Sequence, residues 1–335
     1  MRALRTVILL LVALAAGTVL WLDLTDLSRS GGVAPILTPA EPAPPAKTEQ
    51  PAKTEQPAKP PAGPHAPAKP ATGPVAAPDP ALIEQGPYGP LPRIAADGRR
   101  PSKVYAAPTE AKADKPRVAA IVTELGLARV ATEAAIDKLP GAVTLGFSPY
   151  ATELDAQTAR ARAAGHETLL AVPMEPIGYP SNDPGNRALL TAFPAAENIA
   201  QLKWLMARFT GYVGVIPSFG SRFLASSGHL SPILNELNAR GLMFVDFSPT
   251  HDSVAPGIAE QLKLPIAEVT LRVDEEPAPD AIDAALAKVE EAAKRDGKAI
   301  AIGLPYPVTI ERLAVWLAGL PGKGIEVVPA SALAK

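Results

Sequence analysis

Ala299-Ile300-Ala301-Ile302-Gly303-Leu304-Pro305 is four uninterrupted apolar residues closed by a glycine and a proline. Such a run is a strand buried on both faces, because a strand with one wet face would alternate apolar with polar side chains. A helical pattern over residues 280–295 precedes it, with Pro279 suited to a first turn and Gly297 placed where the helix stops. A doubly buried strand fed by a helix is the unit of a parallel sheet, whose crossover helices cover both faces.

Working outward, the same unit recurs about eight times beyond Arg117. Strands are predicted at residues 118–122, 143–147, 168–172, 213–216, 243–246, 266–271, 299–303 and 326–328. Helices are predicted around residues 129–138, 154–164, 195–209, 229–240, 254–262, 280–295 and 309–317, with Gly165 and Gly241 at two of their ends. The pattern fits a (β/α) barrel or an open doubly wound sheet. In both, ligands meet the loops that leave the C-terminal ends of the strands.

The first third of the chain reads differently. Arg2 and Arg5 precede an uncharged stretch from Thr6 to Leu22, closed by Asp23, which is the layout of a secretory signal. Ala13-Leu14-Ala15 fits a cleavage site, yet the apolar run continues through Val19-Leu20-Trp21-Leu22, and roughly 17 residues is the short limit for spanning a bilayer. Residues 1–24 are therefore read as a signal-anchor or a cleaved signal, with positive charge before the segment directing the remainder outward. The expected location is anchored in the inner membrane with the domain in the periplasm, or secreted to the periplasm after cleavage. Residues 25–116 read as a Pro/Ala-rich tether containing the near-duplicate Pro-Ala-Lys-Thr-Glu-Gln at Pro45 and at Pro51. Proline fixes φ and removes a donor, so neither helix nor sheet propagates there. As a polyproline spacer, about 85 such residues reach on the order of 250 Å. Residues 117–335 are left as one folded domain.

Composition excludes several function classes. The 335 residues carry a formal net charge of −2, which provides no basic field for nucleic acid. The absence of cysteine excludes disulfides, thiolate metal sites and a cysteine nucleophile. A metal site would have to use carboxylates and the four histidines, His65, His166, His229 and His251.

The loops after the strands carry Leu145-Gly146-Phe147-Ser148-Pro149-Tyr150, Val172-Pro173-Met174-Glu175-Pro176 after Gly165-His166-Glu167, Gly220-Ser221-Arg222-Phe223, and Ser253-Val254-Ala255. With Val213-Gly214-Val215 and Ala299-Ile300-Ala301-Ile302-Gly303, this ordered set resembles the divergent polysaccharide deacetylases of bacterial envelopes. The resemblance covers nearly the whole folded region. It implies a NodB-like distorted (β/α) barrel and an envelope polysaccharide or peptidoglycan as partner.

It also implies where a working site would sit. Catalytic members of the family carry an aspartate pair after the first strand, where this chain has Thr123-Glu124. They carry a histidine two residues ahead of the Pro-Met-Glu-Pro proline, where this chain has Ala171, and an Asn-His pair where it has Pro217-Ser218. Their Gly-His-Pro is Gly303-Leu304-Pro305 here. Metal-assisted deacetylation needs an ion that activates water, together with an acid and a base. The imidazoles for that ion are missing, so the expectation is a pseudoenzyme without cofactor that binds glycan or an envelope protein. The alternative is an esterase acting through Glu124, Asp246 and His251, with a weakly held divalent metal. Tyr150, Glu175, Ser218, Ser221, Arg222 and Tyr306 are the candidate substrate contacts.

Overall fold

The structure, a computed structural model, describes residues 77–111, 114–247 and 252–335. The expected membrane segment, the tether up to residue 76 and His251 lie outside these residues. No helix among the described residues is long and apolar enough to cross a membrane.

A hairpin comes first, β1 (Ile83–Gly86) and β2 (Gly89–Pro92), followed by the short α1 (Pro101–Val104). The repeating units then run β3 (Arg117–Leu125), α2 (Arg129–Lys138), β4 (Thr144–Phe147), α3 (Leu154–Ala163), β5 (Thr168–Met174), α4 (Ala195–Met206), β6 (Gly214–Phe219), α5 (Ser227–Ala239), β7 (Met243–Asp246) and α6 (Ala255–Leu262). After β8 (Ile266–Glu268) and β9 (Leu271–Arg272) come α7 (Pro279–Asp296), β10 (Lys298–Gly303), α8 (Pro307–Gly319) and β11 (Glu326–Val327).

The sheet is parallel, in the order β8-β7-β6-β5-β4-β3-β10-β9, with β11 added beside the start of β3. Its two edge strands are separated in sequence only by Val269 and Thr270. Val269 N–H donates to Asp246 O at 3.0 Å and Thr270 N–H to Ile300 O at 2.9 Å. The single strand expected at residues 266–271 is therefore one extended run that changes partner from β7 to β10 and bridges the edges. Of the two architectures left open by the strand pattern, the distorted (β/α) barrel is the one formed.

Alternation along the strands sorts side chains into two cores. Ala119, Ile121, Ala171, Val213, Ile216, Val245, Ile300 and Ile302 fill the barrel, while Val118, Ala120, Val122, Val215 and Phe244 meet the helices outside. The helices present matching stripes: in α7, Ile282, Leu286, Val289 and Ala293 are buried at spacings of three and four.

The boundary expected at Arg117 is corrected. Among the described residues packing already extends upstream of Arg117, because Leu82 and Tyr105 are buried with the barrel interior and Leu91 with the outer core. Residues 77–107 form a strap across the N-terminal end of the barrel. Arg240 Nη1 donates to Glu84 Oε1 and to Pro92 O, both at 2.8 Å. A Cβ at Gly241, φ +71°, would lie 2.9 Å from Ile94 and 3.1 Å from Arg100, so glycine there serves both the turn and the close approach of the strap. Isolated large apolar residues among prolines have no period, which is why composition alone reads this stretch as tether.

The strap is fastened by a fully buried carboxylate. Glu167 accepts from Ala107 N (3.2 Å), Thr144 Oγ1 (2.8 Å), Ser331 N (3.0 Å) and Ser331 Oγ (2.5 Å). It thereby joins the strap, β4 and the C-terminal segment. His166 beside it is also buried, its ring nitrogens facing Val143 O at 2.8 Å and Ile136 O at 3.2 Å.

Candidate functional site

At the opposite, C-terminal end of the strands, the mouth of the barrel holds a cleft of about 160 Å3. β3 contributes Glu124, β6 contributes Ser218 and Phe219, and the loop after β4 contributes Ser148 and Tyr150; Ala171, Leu127 and Asp183 complete the walls.

Glu124 reaches the cleft through a local irregularity. The β3–β4 register shifts between Val122 and Leu125, and Glu124 adopts φ 61°, a left-handed conformation that costs a non-glycine residue about 1 kcal/mol or more. The kink keeps Leu125 in the outer core and turns the carboxyl into the mouth. Phe219, also at φ 61°, does the same at the end of β6 and is 47% exposed. Two left-handed non-glycine residues thus face one cleft.

Burial holds the Glu124 carboxyl above its usual pKa, and a hydrogen bond from Ser218 opposes that shift. Its Oε1 is buried and has no hydrogen-bond partner. Tyr150 stands beside it, its hydroxyl accepting from Arg187 N at 3.2 Å. A Cβ at Gly185, φ +113°, would come within 2.6 Å of that hydroxyl, so the 180–187 loop lies directly on the Tyr150 ring. Burial raises the Tyr150 pKa, and the nearby charges of Asp183 and Glu124 add to the rise.

The remaining expected residues divide by place. Glu175 is buried outside the cleft: its Oε2 accepts from Thr191 N (2.5 Å) and Thr191 Oγ1 (2.7 Å), and its Oε1 faces Arg222 Nη1 at 3.5 Å. Ser221 Oγ accepts from Ile177 N at 2.9 Å. Glu175, Ser221 and Arg222 therefore brace the rim loops against one another. Tyr306, 41% exposed, precedes α8 and does not line the cleft. Asp246 lies on the same face of β7 as Phe244, towards the helices, and takes a hydrogen bond from Ser253 ahead of α6. Burial pushes its pKa up to about 6. Of the three residues expected to act together, Glu124 is in the cleft, Asp246 is directed elsewhere, and His251 lies outside the described residues.

Two carboxylates were missed from sequence. Asp183, exposed on the cleft wall, accepts from Gly185 N at 2.9 Å, and in sequence Asn182-Asp183-Pro184-Gly185 reads only as a turn. Asp274 is buried and accepts from Leu304 N (2.6 Å), Thr309 Oγ1 (3.0 Å) and Arg272 Nε (3.1 Å), which fixes the Gly303-Leu304-Pro305 turn. Nothing in the sequence around Asp274 distinguishes it from a surface acid.

Among the described residues the donor set does not fit the divalent ion of a working deacetylase. A methyl group, Ala171, stands on the cleft wall where the resemblance expects an imidazole. His166 is at the other end of the barrel, and His229 Nδ1 is 2.7 Å from Ser226 Oγ. Among the described residues no three His, Asp or Glu side chains converge as ligands.

The sequence profile for divergent polysaccharide deacetylases matches residues 120–334. The uncharacterized protein YibQ of Escherichia coli K12 is 23% identical over 218 residues, 65% of this chain and 67% of that one. An uncharacterized protein of Haemophilus influenzae Rd is 23% identical over 206 residues, 61% of this chain and 72% of that one. The crystal structure of the uncharacterized protein ATU2773 from Agrobacterium tumefaciens C58 superimposes with a TM-score of 0.71 at 38% identity, covering 73% of this chain and 99% of that one. With a profile that spans most of the barrel and a fold that closes as the family resemblance implies, the chain belongs to the divergent polysaccharide deacetylase family.

Proposed function

We propose that this protein is a glycan-binding member of its family without metal-dependent hydrolysis, held in the envelope by its N-terminal segment so that the mouth of the barrel meets peptidoglycan or a related polysaccharide. The observation that carries the reading is Glu124 itself: a half-buried acid with an unpaired, shielded oxygen, lining a cleft where ligating imidazoles are replaced by a methyl and a hydroxyl. Leu127, Ile177, Phe219 and Tyr306, all exposed at strand ends or on the loops that leave them, supply the apolar and aromatic surface on which sugar rings stack. The membrane and periplasmic assignment is supported by the charge and length of residues 1–24.

The geometry does not favour a hydrolase acting through Glu124 and Asp246 together, since one carboxyl enters the mouth and the other faces α6. The test is co-sedimentation of the full-length protein with purified peptidoglycan sacculi, alongside acetate release from N-acetylated polymer with and without added zinc. Retention without acetate release is expected. Zinc-stimulated release lost in Glu124→Ala would replace this reading with the esterase one.

A further inference from the structure

Resting on the glycan reading, we infer that Trp204, a residue of α4 outside the cleft, is a positioning residue for it: the indole holds the two loop walls together through one guanidinium for each. Tyr150 comes from the loop after β4, and Asp183 with Pro184 from the long loop after β5. Arg208, just beyond the end of α4, grips the first loop. Its Nε donates to Pro149 O at 2.9 Å and its Nη2 to Ala151 O at 3.4 Å, one carbonyl on each side of Tyr150. Arg187 belongs to the second loop. Its backbone N–H donates to the Tyr150 hydroxyl at 3.2 Å, and its Nη1 donates to Gln201 Oε1 on α4 at 3.2 Å.

Both guanidiniums meet on one ring. Arg187 Cζ lies 4.8 Å and Arg208 Cζ 5.3 Å from the centroid of Trp204. Indole offers a cation the most attractive face among the aromatic side chains, and a planar guanidinium stacked on it keeps its edge N–H groups free to donate. Gln201 and Trp204, three apart on α4, share a helix face, so one rigid element holds both loops. Removing the ring leaves each arginine its hydrogen bonds but takes away the platform that sets one against the other. The walls would then be ordered only when ligand binds, and that ordering is subtracted from affinity.

The test pairs amide hydrogen exchange of the full-length protein with its affinity for soluble glycan strands released from peptidoglycan. Trp204→Leu keeps apolar contact with the outer core and removes the aromatic face. Exchange should quicken about fivefold or more in residues 150–152 and 183–188 together, with the barrel strands unchanged, and affinity should fall about three- to tenfold. Trp204→Phe, which retains a ring, should recover part of both. In a double-mutant cycle, Arg187→Met and Arg208→Met should be coupled for binding while Trp204 is present and independent in the Trp204→Leu background, which loss of packing alone would not produce. Faster exchange in one loop only, faster exchange throughout the barrel, or unchanged affinity in Trp204→Leu overturns the inference and leaves the glycan reading standing. Wild-type protein that binds no strands overturns the glycan reading, and exchange in the two loops then decides by itself whether Trp204 holds them.

Discussion

Two carboxylates, the fully buried Glu167 and the half-buried Glu124, occupy opposite ends of one barrel and have opposite circumstances. Glu167 accepts four hydrogen bonds and ties together three segments distant in sequence. Glu124 has Ser218 on one side, an unpaired oxygen on the other and a left-handed backbone beneath it. The two acids thus differ in their partners: the one at the strap end is fully satisfied, and the one at the mouth keeps an oxygen unmet. A buried acid by itself indicates little, and its partners decide whether it serves stability or binding.

The contrast can be broken most forcefully at the strap end. Glu167→Ala leaves buried donors from Ala107, Thr144 and Ser331 unpaired, and should lower the unfolding free energy by roughly 3–5 kcal/mol in urea titrations. A loss under 1 kcal/mol would show that the network does not fasten the strap. Asp246→Asn tests the mouth end in the other direction. Burial lifts the Asp246 pKa to about 6 in the folded protein, above its value near 4 in the unfolded chain. The folded form therefore holds the extra proton, and stability should fall as pH rises from about 4 to 6, then level off. The asparagine variant should lack that slope and gain roughly 1–3 kcal/mol at pH 7, and a parallel pair of pH–stability curves would contradict the assignment.

Smaller effects sharpen the comparison. Phe219→Gly relieves a left-handed residue that is already half exposed, so the protein should gain about 1 kcal/mol while glycan retention declines. Glu124→Gln should change stability by less than about 1 kcal/mol, since it exchanges a desolvated acid for a neutral amide of the same shape. A melting temperature many degrees lower would reveal that Glu124 braces the mouth as Glu167 braces the other end.

The barrel was largely legible because burial on both faces leaves a continuous apolar signature: Ala299 to Ile302 and 118–122 read as strands and are strands. The change of partner at Val269 and Thr270 was not, since sequence records extension and not which neighbour accepts the hydrogen bond. Leu82, Leu91 and Tyr105 escaped notice because a strap buries single residues between prolines and has no period. At the site, the place of Glu124 followed from the end of β3. The outward face of Asp246 was available only from the phase of β7, where Val245 points in and Phe244 out. Asp183 reached the cleft through the course of the long loop over residues 175–194, which local turn chemistry does not encode.

The strap has a mechanical consequence. Ala77, the first described residue of the strap, lies beside Gly211, on the end of the barrel away from the cleft. A pull applied at Ala77 would first meet the hairpin held to Arg240 and the Glu167 knot, which joins the strap to β4 and the C-terminal residues. Any load applied there would fall on the closed pole, with the barrel between it and the mouth.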